Sequence, residues 1–202
     1  MKKRPILSVE RAAHIYEEAI SCRREYCADS SFFRATDLWE YLCDESDTWK
    51  IKTYRSGETE DFKRKAGVVA FDDRVTLTLD ETLWADAKRG NLFYNFMLAH
   101  ELGHLVLNHH ASGAVTKNFQ LYAGQNGMAN VPPTTEELET NYAAVFLQCG
   151  VALLDPRWDY LQLAKKAFSD PYYVKKAQMV VRLDAFQRHL NWPRPTRERV
   201  VL

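Results

Sequence analysis

The amino-acid sequence predicts one α+β domain: helices first, then a small antiparallel sheet, then a buried helix bearing polar residues at fixed spacing, and a helical C-terminal end. Three observations predict it. The apolar residues recur at helical spacing, switch to strict alternation around Val75, Leu77 and Leu79, and return to helical spacing afterwards. The segment from Leu92 to about Asn108 is apolar on nearly every side, which marks a helix surrounded by protein. The length of 202 residues, 46% hydrophobic and 27% charged, suffices for one compact core and not for several domains.

The elements follow in chain order. From Val9 to about Ile20, the residues Ala12, Ala13, Ile15, Tyr16 and Ala19 fall on one helical face, and from Ser31 to Leu42 the residues Phe33, Leu38, Trp39 and Leu42 do the same. The runs 48–54 and 67–79 are rich in β-branched and aromatic residues, and Asp72-Asp73 divides the second as a turn, so a hairpin stands before the buried helix. Ser112-Gly113 is expected to end that helix, and a polar stretch with Gly124, Gly127 and Pro132-Pro133 reads as a long loop up to Thr134. The next helix starts at Thr134 or Thr135 with Leu138, Tyr142, Val145, Phe146 and Cys149 as its apolar stripe. Residues 159–190 read as two further helices broken at Ser169-Asp170-Pro171. Residues 1–190 are thus expected as the domain, and 191–202, with Pro193 and Pro195, as a loosely attached tail.

Charge narrows the function classes. Lys plus Arg (27) balance Asp plus Glu (27), so no long-range field holds the chain on nucleic acid or an acidic membrane. The part after Arg157 is the basic end, with Lys165, Lys166, Lys175, Lys176, Arg182 and Arg188. The four cysteines, Cys22, Cys27, Cys43 and Cys149, form no C-x-x-C pair and are expected as free thiols. The basic N-terminus lacks the apolar run of a signal peptide, and every apolar stretch is interrupted short of the ~20 residues that cross a bilayer. A soluble cytoplasmic protein without a membrane partner is the expectation.

Inside the buried helix stands His100-Glu101-Leu102-Gly103-His104, an H-E-x-x-H pattern. Helical residues four apart differ by only about 40° around the axis and about 6 Å along it, so both imidazoles can reach one ion. Neutral imidazole suits Zn²⁺, and Glu101 can accept a proton from a water that zinc acidifies towards a pKa of about 7. The chemistry indicated is amide hydrolysis. The alternative is a chance match, but two imidazoles and a carboxylate among apolar flanks are costly to bury without partners, and a metal is such a partner.

A zinc site that does chemistry needs a third protein ligand and keeps its fourth position for water. Two candidates compete. Glu137 lies at the start of the following helix, with Asn141 one turn further along the same side, where its amide can support a histidine's far nitrogen. Thr134-x-x-Glu137 also has the spacing of a capping box, which would use Glu137 differently. The rival is His110, at the spacing where metzincins place a third histidine. That pattern turns its backbone on a glycine where this chain has Leu107, so His109 and His110 are expected as surface histidines past the helix end.

These residues resemble the ImmA/IrrE family of intracellular zinc metallopeptidases. The resemblance rests on the strand Val75–Leu79, on the run from Phe96 through His104, on the E-x-x-x-N segment from Glu137 to Asn141 with Ala143-Ala144 after it, and on Leu163-Ala164, Phe168-Ser169 and Arg182-Leu183. It spans roughly residues 9 to 190 and is most specific in the zinc helix. Where the family has phenylalanine and Leu-Leu-Met-Pro after the asparagine, this chain has Ala143 and Leu147-Gln148-Cys149-Gly150, with Leu153-Leu154-Asp155-Pro156 displaced downstream. The resemblance implies a zincin-like fold, Zn²⁺ held by His100, His104 and Glu137, and Glu101 as catalytic base. It also implies an endopeptidase whose substrate is a transcriptional repressor encoded nearby, bound extended along an edge strand so that the hairpin takes part.

Other classes of function are a DNA-binding module using the basic C-terminal helices, and a metal-stabilised interaction or toxin-type protein without turnover. For the first, the usual turn glycine is missing at Ser169-Asp170-Pro171, and a solvated helix face is the expectation. Tyr122, Tyr142 and His109 come into question for stabilising an oxyanion, and the sequence selects none of them.

Overall fold

The computed structural model describes residues 7–29, 31–55, 65–71, 73–109, 115–120 and 134–190. The chain runs α1 (Val9–Tyr26), α2 (Ala35–Glu45), β1 (Trp49–Tyr54), β2 (Lys65–Phe71), β3 (Arg74–Asp80), α3 (Glu81–Lys88), α4 (Leu92–Val106), β4 (Val115–Gln120) and α5 (Thr135–Cys149). A 3₁₀ turn (Gly150–Leu154) follows, then α6 (Tyr160–Lys166), α7 (Pro171–Val181) and α8 (Asp184–Leu190). The α+β class is as predicted. The tail 191–202 lies outside the described residues, as do His110, Ser112-Gly113, Tyr122 and the glycines and prolines of the expected loop, and the helix expected to stop at Ser112-Gly113 already ends at Val106. Among the described residues, no helix is long and apolar enough to cross a membrane.

The sheet corrects the expectation of a purely antiparallel arrangement. Its order is β1-β3-β2-β4. The β2–β3 hairpin is antiparallel as predicted, with Ala70 opposite Val75, and β4 is antiparallel to β2, but β1 runs parallel to β3. Alternation in sequence tells which face a residue takes and not which way the strand runs. With β2 on one side of β3, β1 occupies the other side. A second correction follows: the hairpin strands are the inner ones, so β1 and β4 are the edges and the hairpin offers no open edge for a substrate. The alternation itself held, since Val75, Leu77 and Leu79 are buried while Thr76 and Thr78 are partly exposed.

The C-terminal end also differs in detail. Asp170 caps α7 by accepting the Tyr173 N–H at 3.0 Å, and Pro171 opens the helix where its missing N–H is harmless. The break at Ser169-Asp170-Pro171 is therefore as expected, but α7 stops at Arg182, so this end holds three helices instead of two. Phe186 on α8 is fully buried and meets Tyr16 of α1 edge-on, 5.7 Å between ring centres.

Polar anchors hold α4 in addition to its apolar surface. Asn95 is buried; its Oδ1 accepts the Ala35 N–H at 2.9 Å, and its Nδ2 donates to the carbonyls of Ala87 (2.7 Å) and Asn91 (2.9 Å). One side chain thus ties the starts of α2 and α4 to the end of α3. Trp39 of α2, also buried, donates its Nε1–H to the Leu98 carbonyl at 3.1 Å. On the opposite side α4 packs against α5, and Gly103 lets them approach closely. A Cβ at Gly103 would stand 3.0 Å from both Cγ2 and O of Thr140 and 3.3 Å from Cβ of Ala143.

The far end of α5 is held by a buried arginine. Arg23 of α1 donates Nη1–H to the carbonyls of Leu147 (2.7 Å) and Gln148 (3.1 Å), and Nη2–H to the Ser31 carbonyl, while lying over the Phe33 ring. These are the last-turn carbonyls that a helix cannot satisfy internally. Gly150 leaves the helix at φ +55°, and a Cβ there would collide with the Arg23 Nε at 2.5 Å.

Candidate metal centre

The close crossing of α4 and α5 brings four of the predicted residues together. His100, Glu101 and His104 are buried on α4, with relative exposures of 0%, 1% and 3%. Glu137, in the first turn of α5, presents Oε2 3.0 Å from His100 Nε2 and Oε1 3.7 Å from His104 Nε2. Donor atoms of His100, His104 and Glu137 lie within 4.8 Å of one another, a spacing that can hold a metal ion. The capping expectation is met by the backbone: the Glu137 N–H donates to Thr134 Oγ1 at 3.2 Å. Its carboxylate turns to the imidazoles.

Each imidazole is held from behind. Oδ1 of Asn141 is 3.0 Å from His100 Nδ1, and an amide oxygen only accepts, so this pairing places the ring proton on Nδ1 and leaves the Nε2 lone pair facing Glu137. Asn141 donates in turn from Nδ2 to the Tyr173 hydroxyl at 3.2 Å. The Tyr173 ring stacks on Phe96, one turn before His100, with centroids 5.3 Å apart. Burial, reinforced by Tyr172, Asp170, Tyr142 and Glu137, pushes the Tyr173 phenol up to about 12, so it stays protonated at neutral pH. Asn141 thus hydrogen-bonds the His100 ring.

His104 has a comparable support that the sequence reading missed. Thr140 Oγ1 donates to the Glu136 carbonyl at 2.9 Å and stands 3.3 Å from His104 Nδ1, where its lone pair can accept the ring proton. His109 Nδ1 is also close, 3.0 Å from His104 Nδ1. This corrects the expectation of a surface histidine, since the His109 side chain is only 13% exposed. The turn comes from Asn108, whose φ is +54°. Its N–H donates to Leu105 O (2.9 Å), and the His109 N–H donates to His104 O (3.0 Å), the paired bonds of a left-handed helix stop. Asparagine tolerates that conformation where leucine does not. The turn therefore falls on Asn108 and needs no glycine at position 107.

This donor set fits zinc: two imidazole nitrogens and one carboxylate, with ring protons engaged on the far side, as zinc-binding histidines require. Tyr142 packs in the core near Phe146, ring centres 5.8 Å apart. Lys175 and Lys176 of the basic end lie over the rings of Tyr160 and Tyr172, at 5.3 and 4.2 Å. All four cysteines are free thiols, Cys149 fully buried. No protein-family model, curated protein or solved structure matches the chain.

Proposed function

We propose that the chain is a zinc-dependent endopeptidase that cuts a regulatory protein, with a transcriptional repressor encoded nearby as the substrate suggested by the resemblance to the ImmA/IrrE family. The observation that carries this reading is the pair of buried imidazoles whose Nε2 atoms converge on Glu137 while Asn141 and Thr140 engage their Nδ1 atoms. A carboxylate at ligand spacing to both rings is the third protein donor that a catalytic zinc ion requires. Zinc, held by His100, His104 and Glu137, would supply an acidified water and polarise the scissile carbonyl.

The protein's own groups carry the protons. Glu101, in the same helical turn and buried, takes the proton from the attacking water and returns it to the leaving nitrogen. Asn141 and Tyr173 keep the His100 ring from rotating, and Thr140 does the same for His104. An extended substrate can add to a sheet edge, and β4, an edge strand among the described residues, takes that part in place of the hairpin.

The test is incubation of the zinc-loaded protein with the product of the neighbouring repressor-like gene, alongside Glu101→Gln. A single cut made by the wild type, abolished by chelation and absent in a Glu101→Gln protein that still binds zinc, is expected. Equal cutting by Glu101→Gln would remove Glu101 from its role. A zinc-loaded wild type that leaves both the repressor and an unfolded general substrate intact would favour the interaction-protein reading instead.

A further inference from the structure

His104 faces two groups of donors, one through each ring nitrogen. Its Nε2 belongs to the group with His100 and Glu137. Its Nδ1 belongs to a second group with His109 and Glu136, whose donor atoms also lie within 4.8 Å of one another. The edges of this outer triangle are 3.0 Å (His104 Nδ1 to His109 Nδ1), 3.5 Å (His109 Nδ1 to Glu136 Oε1) and 3.6 Å (His104 Nδ1 to Glu136 Oε1). Ligands held tetrahedrally at about 2.0–2.1 Å from a metal stand about 3.3–3.4 Å apart. The three edges bracket that value.

The 3.0 Å edge between the two imidazoles is of hydrogen-bond length, whereas the two carboxylate edges are longer. A carboxylate bonded to an imidazole N–H sits at about 2.7–3.2 Å, and a carboxylate shared by two rings settles on one of them. Here the oxygen stands nearly equidistant from both nitrogens and beyond that range. Thr140 Oγ1, its proton directed to the Glu136 carbonyl, lies 3.3 and 3.5 Å from the same two nitrogens. Behind His109, Glu139 Oε2 is 4.0 Å from Nε2 and is itself paired with Arg11. The Glu136 side chain is 40% exposed, which opens the hollow to solvent.

We infer that His104 Nδ1, His109 Nδ1, Glu136 Oε1 and Thr140 Oγ1 form a second cation site for an imidazole-seeking divalent ion such as Zn²⁺ or Co²⁺. Two nitrogen donors select against Mg²⁺ and Ca²⁺. The inference rests on the proposed function only through His104, the residue common to both groups. An ion on Nδ1 while Nε2 also binds metal requires His104 to lose its ring proton to solvent, one proton per outer ion, and to bridge as imidazolate. The outer ion therefore binds second and more weakly.

The test is titration of the apo full-length protein with Co²⁺, following its visible absorption and the bound equivalents by equilibrium dialysis, for the wild type, Glu136→Gln, His109→Ala and His100→Ala. Glu136→Gln preserves size at a partly exposed position, so it reports binding even if His109→Ala folds poorly. Two equivalents in the wild type are expected, with the second weakened at least about tenfold in Glu136→Gln and His109→Ala while the first stays. One wild-type equivalent unaffected by Glu136→Gln overturns the outer site and leaves the inner one standing. One equivalent that is lost in Glu136→Gln and kept in His100→Ala supports the outer site and removes the inner one. A second equivalent that persists in both Glu136→Gln and His109→Ala binds elsewhere and overturns the inference.

Discussion

Gly103→Ala tests whether the approach of α4 to α5 is what builds the metal centre. The new methyl would sit 3.0 Å from Cγ2 and from the carbonyl oxygen of Thr140 and 3.3 Å from Cβ of Ala143. Non-bonded heavy atoms prefer about 3.5–4.0 Å, so α5 must retreat by about half an ångström. Overpacking of this kind costs about 1–3 kcal/mol, and replacing a helical glycine by alanine returns about 1 kcal/mol. The net loss of about 1 kcal/mol lowers Tm by about 2–4 °C in a domain of this size. The metal should suffer more, because a site held within about 0.5 Å has no slack and the retreat carries Glu137 away from both imidazoles. We expect zinc affinity to fall about tenfold or more, equivalent to about 1.4 kcal/mol. The assay is thermal unfolding with and without zinc, in which the zinc-induced rise in Tm should shrink by more than the apo Tm falls. A raised apo Tm with undiminished zinc affinity would show that the helices have room at Gly103 and that their crossing does not set the position of Glu137.

Three further outcomes follow from the same contacts. Asn141→Ala, which removes the partner of His100 Nδ1, should weaken zinc about 10–100-fold in a competition titration with a chromophoric chelator; unchanged affinity would show that Asn141 does not orient the ring. Arg23→Met should cost about 3 kcal/mol in urea unfolding, because the carbonyls of Leu147 and Gln148 lose their donor in a buried setting, and a loss below about 1 kcal/mol would mean that the helix end finds another partner. Burial pushes Cys149 from 9.0 and Tyr16 from 10.0 up to about 12, and Cys22 up to about 11. The folded state then keeps protons that the unfolded chain gives up, so stability is full below about pH 9 and declines as the pH climbs towards 12. Urea midpoints from pH 8 to 11 should fall accordingly, with a shallower fall in Cys149→Ala; a midpoint independent of pH would refute the burial of these groups.

What the sequence made legible was periodicity and fixed spacing. The alternation of Val75, Leu77 and Leu79 placed β3, and the unbroken apolar surround of 92–108 placed α4 inside the molecule. Helical spacing alone put His100 and His104 on one side, and the i, i+4 relation of Glu137 and Asn141 put a carboxylate and an amide facing the imidazoles from adjacent turns. Pairing direction left no such mark. β1 parallel to β3 is set by which flank of the hairpin remains, and β4, whose sequence Val115-Thr116-Lys117-Asn118-Phe119-Gln120 does not alternate cleanly, is a strand because β2 offers it a partner. Propensity is weak where pairing decides.

The local pattern also hid the geometric part of its own requirement. In H-E-x-x-H the two middle positions are nominally free, yet Gly103 is the residue on which the α4–α5 distance turns. Likewise Thr134-x-x-Glu137 posed capping and ligation as rivals, and the structure divides them between backbone and side chain: the Glu137 N–H goes to Thr134 and its carboxylate to the histidines. Capping fixes the first turn of α5, and that turn aims the carboxylate, so the cap serves the site. The same reasoning applies to Asn108. Its positive φ ends α4 and returns His109 to His104, so a residue with no donor role at the centre decides how the second imidazole is surrounded. Buried polar atoms are retained where each has a partner on every side. In this helix those partners come from α5, from α7 through Tyr173 and from the helix's own stop.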